Sequence, residues 1–342
     1  MNVSASRAVT VVIPTHARRD LVLRTVASVL AQRDCDVGVV VVDDGSRDGT
    51  SEALRTLDDP RVTVLRHEQA RRVNAARNTG VAIVTTPWVA FCDDDDVWAP
   101  DKLAAQLDAL AAEETARWAC VGAAHVNPTG TILRRVDPPA TGDVLTDLAR
   151  RNVIPGGGSG VLAATDLVRA VGGFDERFQS LSDWDLWLRL AARSPVVSVP
   201  RHLVAYLVHS DSLIHDPART LRELHLLEAK TAHHPEVPPV VVDPTWSATL
   251  AIMALRLRRW SVFVPLAARS LRRRAAAGPL LAELVRTVAR RTGLRRPDPL
   301  PEARDDESWV LQAEVRWADR VNSAPPKGSP LTSGNRDSRP LT

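Results

Sequence analysis

A hydrophobic segment runs directly into four aspartates at residues 88–98, WVAFCDDDDVW. Four adjacent carboxylates repel one another, so a folded chain holds them together at a cost in free energy that a cation can offset. Carboxylate oxygens suit Mg²⁺ and Mn²⁺, which keep several water ligands and often bridge to phosphates. An acidic run by itself is explained equally well by a solvated turn, because most charged side chains lie at the surface.

The segments before this run alternate between hydrophobic strands and amphipathic helices. Strands are predicted at residues 9–13, 37–42, 61–65 and 88–92, where β-branched residues are frequent. Helices are predicted at 20–30, with Asp20 as the N-cap, at 51–57 and at 74–84. This alternation indicates an α/β fold in which a mostly parallel sheet carries helices on both faces.

Three polar clusters fall where strands of this sheet should end. They are PTHARR at 14–19, DDGSRDG at 43–49 and the aspartates at 93–96. Ligands of open parallel sheets bind beyond the carboxyl ends of the strands. The three clusters therefore predict one common binding site.

The second half of the chain has a less regular pattern. We expect a helix at 101–117, irregular short strands at 118–145, a glycine-rich loop at 154–160, a helix at 183–193 and strands at 196–208. Beyond residue 216, helices are predicted at 219–232, 246–259 and 262–292, with breaks near Pro265 and Gly278. Residues 297–342 are rich in proline, serine and charge, which predicts a largely disordered tail.

Taken in order, several short motifs resemble those of the family 2 glycosyltransferases, which are inverting enzymes with the GT-A fold. The motifs are VVIPT at 11–15, DDGS at 43–46, ARNTG at 76–80, DDDD at 93–96, GGFDE at 172–176 and SDWDLWLRL at 182–190. The resemblance implies a Rossmann-like GT-A catalytic domain at 1–216, with a nucleotide-binding half at 1–100 and an acceptor half at 101–216. A basic helical extension at 217–296 and the tail at 297–342 would follow it.

The resemblance also implies roles for individual residues on the donor side. The nucleotide sugar would be bound by Thr15, Asp43, Asp44, Arg77, Asp93 and Asp94. Asp93 and Asp95 occupy the family's D-x-D positions, and His209 lies in YLVHSDSL at 206–213, which resembles its Y-x-x-H-x-x-S-L segment. The implied ligands of a divalent cation, Mn²⁺ or Mg²⁺, are Asp95, Asp93 and His209.

Asp183 matches the family's catalytic base, which is the second member of an acidic pair. The first member is Ser182 here, where glutamate is usual, and Asp185 lies two residues further along. The spacing of the WDLWLRL segment favours Asp183, which leaves Asp185 as a structural acid near a helix start. One carboxylate that removes the proton of an acceptor hydroxyl, with in-line attack, gives inversion in a single step.

The function implied is the transfer of one sugar from a nucleotide-diphosphate sugar to the hydroxyl of a saccharide, lipid-linked or other acceptor. We expect it to serve the synthesis of cell-envelope polysaccharide, glycolipid or glycoconjugate. The cation would stabilise charge on the diphosphate leaving group. Processive members carry a Q-x-x-R-W motif, and the nearest segment here, RLRRW at 256–260, has arginine in place of glutamine.

Charge is distributed unevenly along the chain. The formal net charge is +3, but residues 254–296 hold twelve arginines against one acid, Glu283. Amphipathic basic helices of this kind bind anionic membranes, although a solvated helical cap on the catalytic domain explains the pattern equally well. The sequence has three separated cysteines, no long apolar run and no apolar leader, which together predict a cytoplasmic location. If the basic helices bind a membrane, we expect peripheral contact at the inner face of the plasma membrane.

Two other functional classes fit parts of the sequence. A sugar nucleotidyltransferase shares the nucleotide-binding half-fold and the acids, but its glycine-rich, lysine-containing segment after the first strand is missing, since 14–19 holds neither residue. A nucleic-acid-binding protein would suit the basic stretch 254–296, whose aromatic residues are Trp260 and Phe263. That stretch contains no recognised binding motif, so we expect no nucleic-acid partner.

Overall fold

The computed structural model describes residues 6–208, 216–256 and 259–271. Across these residues, one sheet contains the strands β1 (Ala8–Thr15), β2 (Asp36–Asp43), β3 (Val62–Arg66), β4 (Trp88–Phe91), β5 (Val97–Trp98), β6 (Trp118–Val126), β7 (Ile132–Val136), β8 (Val161–Ala164) and β9 (Val196–Leu207). The helices are α1 (Arg19–Leu30), α2 (Thr50–Arg55), α3 (Val73–Ile83), α4 (Lys102–Ala112), α5 (Leu145–Leu148), α6 (Thr165–Ala170), α7 (Ser182–Ala191), α8 (Pro217–Thr231), α9 (Pro244–Arg256) and α10 (Trp260–Leu271).

The first four strands are parallel and form the N-terminal half of the sheet. They lie in the order β3-β2-β1-β4, and Thr15 at the end of β1 pairs with Asp43 at the end of β2. Both strands are rich in valine and almost wholly buried, since β-branched side chains pack well on the two covered faces of a parallel sheet. The predicted α/β arrangement is confirmed, and it brings the carboxyl ends of these strands to one edge.

The second half of the sheet is mixed, which corrects the expectation of a mostly parallel sheet. β8 pairs antiparallel with both β4 and β6, whereas β6 pairs parallel with β9. β7 and β5 add antiparallel pairings to β6 and β9. Of the eight pairings within the described residues, four are parallel and four are antiparallel.

Strand β6 differs most from the sequence-based expectation. The irregular short strands predicted at 118–145 are replaced by one long buried strand and the shorter β7. Alanine and glycine are poor strand formers, so the composition of β6 conceals it. Small residues are needed there because a Cβ at Gly122 would lie 2.8 Å from Cδ2 of His202 on β9. Close packing between the two strands therefore outweighs local propensity.

Two predicted helix boundaries and one predicted helix break are also wrong. Asp20 lies inside the first turn of α1 and bonds to Arg19, so it is not the N-cap. α4 ends at Ala112 rather than at 117, because the chain must turn before β6 begins. α10 continues through Pro265, where a break was expected, and its contacts with α9 support it there.

Helix α8 packs against the segment that precedes α7. Its N-cap is Asp216, whose Oδ1 accepts hydrogen bonds from the main-chain N of Ala218 and Arg219. The buried carboxylate of Glu223 accepts hydrogen bonds from the main-chain N of residues 179, 180 and 181. α8 therefore fixes the N-terminal end of α7.

Helices α9 and α10 pack against each other. Their apolar side chains form a separate small cluster that includes Leu250, Ala254, Val262 and Leu266. Within the described ranges, no helix is both long enough and apolar enough to cross a bilayer. The helix predicted beyond Leu271, its break near Gly278 and the tail at 297–342 lie outside the described residues. The division into two domains at residue 216 stays a prediction.

Candidate active site

The three polar clusters meet at the carboxyl edge of the parallel strands. The main-chain N of Asp44 donates to O of Thr15 at 2.8 Å, and the N of Ala17 donates to Oγ of Ser46 at 2.8 Å. Oγ1 of Thr15 donates to Oδ2 of Asp94 at 2.8 Å. These hydrogen bonds join the segments that follow β1, β2 and β4 into one polar site.

Asp94 and Asp95 are buried next to two arginines. Nη1 of Arg18 donates to Oδ1 of Asp94 at 2.9 Å and to Oδ2 of Asp95 at 2.7 Å. Nη2 of Arg24 donates to the main-chain O of Asp95 at 2.6 Å. Burial and the neighbouring Asp95 raise the pKa of Asp94 to about 6, against the opposing effect of Arg18. The buried aspartates at the end of β4 therefore carry negative charge that their surroundings do not fully stabilise.

Asp93 and Asp96 connect the strand end to the glycine-rich loop. The carboxylate of Asp93 accepts a hydrogen bond from Arg77, and its main-chain N donates to Oγ of Ser159 at 2.9 Å. The same hydroxyl donates to Asp96, whose other carboxylate oxygen accepts from the N of Leu207 at 3.0 Å. Burial raises the pKa of Asp96 well above its ordinary value. Asp96 therefore joins β4, the loop and β9 from inside the protein.

The turn after β2 places both of its aspartates in internal contacts. Asp43 is fully buried and accepts a hydrogen bond from the hydroxyl of Ser51. Asp44 accepts hydrogen bonds from the main-chain N of residues 71 and 72 at 2.8 and 2.7 Å. Nδ1 of His67 lies 2.7 Å from Oδ1 of Asp44. These carboxylates shape the loops around the site, and their contact with a nucleobase or ribose stays a prediction.

Asp183 lies in the first turn of α7. Its Oδ2 accepts a hydrogen bond from Nδ2 of Asn152 at 3.3 Å, and its Oδ1 accepts from the main-chain N of Trp184 at 2.8 Å. Both donors are neutral. Burial is the largest influence on this carboxyl and raises the pKa of Asp183. A raised pKa and neutral donors suit a group that must accept a proton.

Gly157 lies next to a space that the carboxylates of Asp183 and Asp93 both border. Its φ of 53° lies in the left-handed region that favours glycine. A Cβ built on it would lie 3.7 Å from Oδ2 of Asp183, 3.8 Å from Cε2 of Tyr206 and 3.9 Å from Oδ2 of Asp93. The two carboxylates therefore border one point, which the missing side chain leaves open.

Asp185 belongs to a different environment from Asp183. Its carboxylate is 2% exposed and accepts hydrogen bonds from Nη2 of Arg189 and from Nζ of Lys230, each at 2.6 Å. These two cations bind it between α7 and α8. The contacts agree with the expected structural role, and Asp183 is the aspartate of the pair that borders Gly157.

A known sequence family covers the parallel half and its acidic edge. Residues 10–154 match the profile described as Glycosyl transferase family 2. Residues 10–154, called the family domain below, are thus similar to the family 2 glycosyl transferases. The matched range includes all the predicted donor-side aspartates, whereas Asp183 lies beyond it.

Relatives of this family domain share a limited stretch with the chain. Succinoglycan biosynthesis protein ExoO of Rhizobium meliloti is 36% identical over 100 residues, which is 29% of this chain and 29% of that protein. The putative teichuronic acid biosynthesis glycosyltransferase TuaG of Bacillus subtilis is 37% identical over 102 residues, 29% of this chain and 40% of that protein.

A third relative carries a more specific name. It is the UDP-Glc:alpha-D-GlcNAc-diphosphoundecaprenol beta-1,3-glucosyltransferase WfgD of Escherichia coli, 29% identical over 102 residues, 30% of this chain and 40% of that protein. The chain thus spans between 29% and 40% of the length of these three relatives.

Solved structures resemble the chain well beyond the family domain. The mannosyltransferase PcManGT from Pyrobaculum calidifontis, in complex with GDP-Man and Mn²⁺, has a TM-score of 0.53 and 22% identity, covering 92% of this chain and 86% of that one. TarS of S. aureus has a TM-score of 0.54 and 16% identity, covering 73% of this chain and 43% of that one. Likeness at these identities shows the fold, which is the GT-A fold.

The side chains at the end of β4 in the family domain fit a divalent cation. Asp93 and Asp95 offer carboxylate oxygens, and the raised pKa of Asp94 indicates negative charge that its neighbours do not fully offset. Within residues 6–208, 216–256 and 259–271, no group of three or more His, Cys, Asp or Glu side chains is arranged to enclose a metal. Two carboxylates suffice where phosphate oxygens and waters complete the ligands. His209, the third predicted ligand, lies outside the described residues.

Sequence reasoning missed several residues of this site. Arg18 is one of two adjacent arginines, and nothing in the spacing distinguishes it from the exposed Arg19. Ser159 has no motif of its own inside the glycine-rich loop. His67, which no motif marks, contacts Asp44. Tyr206 is the single tyrosine of the chain, and that rarity is a signal that could have drawn attention to it.

Proposed function

We propose that this chain is an inverting glycosyltransferase that moves one sugar from a nucleotide-diphosphate sugar to an acceptor hydroxyl. The observation that carries the proposal is the space at Gly157, which Asp183 and Asp93 border from different elements. The Asp183 carboxylate would act as the base, and the Asp93 carboxylate lies at the strand end where parallel sheets bind ligands. The family domain favours this function over a nucleotidyltransferase or a nucleic-acid-binding protein.

Donor binding is assigned to the side chains at the carboxyl edge. Asp95 and Asp93 would hold the divalent cation, together with His209. When bound, the cation would offset the negative charge that develops on the leaving diphosphate. Arg77, which is 5% exposed, keeps the carboxylate of Asp93 in place. The remaining donor contacts are proposed for Thr15, Asp43, Asp44, Arg77 and Asp94.

Asp183 is proposed as the general base. The acceptor oxygen forms a bond to the anomeric carbon, the bond from that carbon to the diphosphate oxygen breaks, and the hydroxyl proton passes to the Asp183 carboxylate. Neutral donors hold this carboxylate without neutralising its charge, so it keeps its affinity for a proton. A single displacement of this kind inverts the anomeric configuration.

The proposed acceptor belongs to cell-envelope polysaccharide, glycolipid or glycoconjugate synthesis. Two relatives carry the names of succinoglycan and teichuronic acid biosynthesis, and a third is named for a diphosphoundecaprenol-linked acceptor. A lipid-linked acceptor is presented at a membrane surface. We therefore place the protein on the cytoplasmic side, in peripheral contact with an anionic membrane.

Helix α10 supports the membrane contact. Trp260 and Val264 are each 60% exposed and lie about one helical turn apart on the same face. Tryptophan favours the membrane interface, and each arginine near an anionic surface contributes about 1 kcal/mol. The twelve arginines of residues 254–296 give this part of the chain the charge that such a surface attracts.

Vesicle binding tests the membrane contact. The full chain should co-sediment with phosphatidylglycerol vesicles at low salt and detach at high salt. Replacing Trp260 and Val264 together by serine should weaken binding, whereas Val241→Ser, at another exposed apolar residue, should not. Binding that is indifferent to lipid charge, or absent at low salt, would leave α10 as part of a helical cap.

A thermal-shift panel of nucleotide sugars tests the enzymatic proposal. A ligand that binds the folded state raises the melting temperature, so one UDP- or GDP-sugar should produce a shift with Mn²⁺ that EDTA abolishes. The same sugar nucleotide should then release its nucleoside diphosphate when a suitable saccharide or lipid-linked acceptor is added. A panel without any shift, together with salt-sensitive binding to DNA, would support the nucleic-acid alternative instead.

A further inference from the structure

Arg18 contacts the two aspartates that the metal and the donor are proposed to use. Its Nη1 lies 2.9 Å from Oδ1 of Asp94 and 2.7 Å from Oδ2 of Asp95. The Arg18 side chain is 31% exposed, whereas the side chains of Asp94 and Asp95 are 9% and 12% exposed. The guanidinium therefore lies on the solvent side of the two carboxylates.

A divalent cation on Asp95 and the Arg18 guanidinium would compete for the same oxygen. Magnesium binds carboxylate oxygens at about 2.0–2.1 Å, so an ion on Oδ2 would stand within about 5 Å of Nη1. Two positive charges that close repel each other strongly where the surroundings screen them poorly. The Arg18 side chain is more exposed than that of Asp95, so of these two it is the one able to move.

We propose that Arg18 exchanges partners when the donor binds. It releases Asp95 to the cation and turns to the diphosphate, because its planar fork of N–H groups matches paired phosphate oxygens. The inference rests on the proposed function, since it takes the donor to be a nucleotide-diphosphate sugar. Arg18 then joins the donor-binding residues, although the family resemblance gave it no role.

The surroundings allow Arg18 to leave without loss of the site. Oγ1 of Thr15 holds the carboxylate of Asp94, and Nη2 of Arg24 holds the main-chain O of Asp95. Both contacts are independent of Arg18, so the two aspartates keep these anchors. Ala17, the residue before Arg18, has a φ of 51°. A non-glycine residue adopts this left-handed conformation at a cost in energy, and such residues cluster at ligand clamps and switch regions.

A fixed strut is the alternative role for Arg18. A strut would tie the segment after β1 to the end of β4, and its removal would weaken every ligand of the site and the fold as well. An arginine that exchanges partners would weaken binding of the metal in the absence of the donor and would strengthen binding of the diphosphate. Its removal would move the two affinities in opposite directions, and this difference in sign distinguishes the two roles.

The experiment measures both affinities in the full chain. Binding of Mn²⁺ alone is followed by the electron paramagnetic resonance of free Mn²⁺, and binding of UDP and GDP at saturating Mn²⁺ is followed by calorimetry. Arg18→Met should bind Mn²⁺ alone about threefold more tightly or better, and should bind the preferred nucleoside diphosphate about tenfold more weakly. Arg19→Met, which removes the adjacent exposed arginine, should change neither affinity.

The direction of each shift decides the outcome. Weaker binding of both ligands, or unchanged Mn²⁺ binding, in a folded Arg18→Met protein would overturn the exchange. If that variant does not fold, Arg18→Lys gives the same test, because one point charge replaces the fork and both shifts should keep their signs at smaller size. A wild-type chain that binds Mn²⁺ but neither UDP nor GDP would contradict the proposed donor class, while the Mn²⁺ measurement would still show whether Arg18 competes with the metal.

Discussion

The two acidic regions of the site differ in the charge of their hydrogen-bond partners. At the end of β4, Asp95 contacts Arg18 and Asp93 contacts Arg77. At the start of α7, Asp183 accepts hydrogen bonds from a side-chain amide and a main-chain N–H. A carboxylate paired with a cation is suited to hold charge in place, whereas one held by neutral donors is able to take up a proton. The difference supports the proposal that the end of β4 binds the cation and that α7 supplies the base.

The largest expected effect comes from the β4 side of this comparison. Asp95→Asn removes the charge that the cation needs, so transfer should fall by about 10³-fold or more. Activity is measured as nucleoside diphosphate release across a Mn²⁺ titration. Asp20→Asn, at an exposed carboxylate of α1, serves as the control and should keep full activity. Wild-type activity in EDTA would contradict the assignment of a cation to β4.

A substitution at the point between the two regions should have a smaller effect than Asp95→Asn. Gly157→Ala places a methyl group 3.7 Å from Oδ2 of Asp183 and 3.9 Å from Oδ2 of Asp93. We expect kcat/KM to fall by about 10- to 100-fold, because the methyl group fills the space between the two carboxylates in which the reactants are proposed to meet.

Gly172→Ala is the matched control for Gly157→Ala. Gly172 also has a positive φ, of 86°, but a Cβ there would have no atom within 4 Å. Both variants carry the conformational cost of about 1–2 kcal/mol for a left-handed residue. Equal losses of kcat/KM in the two variants would show that the backbone strain, rather than the shared space, explains the effect.

The pH dependence of the reaction examines the α7 side. Burial raises the pKa of Asp183, the nearby Asp93 charge adds to the rise, and the Trp184 N–H and Arg77 oppose it. A base is lost as the pH falls through its own pKa in the folded enzyme. At saturating Mn²⁺, the acid limb of the kcat/KM profile should therefore lie above the ordinary aspartate pKa of about 3.9. A limb at or below that value would disagree with Asp183 as the base.

Lys102 is a buried charged residue that also has neutral partners, but its charge is positive. Replacing it should have the smallest effect of the substitutions considered, and the effect should be on stability. Its Nζ donates to Oε1 of Gln106 at 2.9 Å and lies 3.8 Å from the centroid of the Trp98 ring. Burial lowers the pKa of Lys102 to about 7. Because the pKa of an unfolded lysine is about 10.4, the unfolded chain binds more protons between these values, and stability should rise with pH.

Urea unfolding of Lys102→Met checks this rise. The wild-type free energy of unfolding should gain on the order of 1 kcal/mol per pH unit relative to the variant between about pH 7 and 9. The variant should also be at least as stable as the wild type near neutral pH, since it buries no cation. Identical pH dependence in the two proteins would show that the Lys102 ammonium is not affected by its burial.

The parallel half could be predicted from the sequence because its signals are local. Valine-rich strands end in polar clusters, and parallel strands bring such ends together. The mixed half could not be predicted, since β6 is built of small residues whose suitability depends on contact with β9. Local propensity carries no information about that contact.

The residues of the candidate site also divide into those that could be predicted from the sequence and those that could not. The aspartates at 93–96 and Asp183 could be found because motifs mark them. Their partners could not, because hydrogen bonds such as those of Arg18 and Ser159 join residues far apart in the chain. Register adds a second limit: Asp183 and Asp185 differ by two positions in the sequence, and only their neighbours in space separate their environments.

The central claim is that Asp183, held by neutral donors, is the base, and paired measurements on Asp183→Asn and Asp185→Asn test it most directly. Donor affinity by calorimetry and turnover should be measured on the same folded preparations. We predict that Asp183→Asn keeps the donor dissociation constant within about twofold and lowers kcat by about 10²-fold or more. Asp185→Asn, which disturbs the ion pairs with Arg189 and Lys230, should lower the melting temperature and cost less in kcat. A larger loss of kcat in Asp185→Asn than in Asp183→Asn would contradict the account.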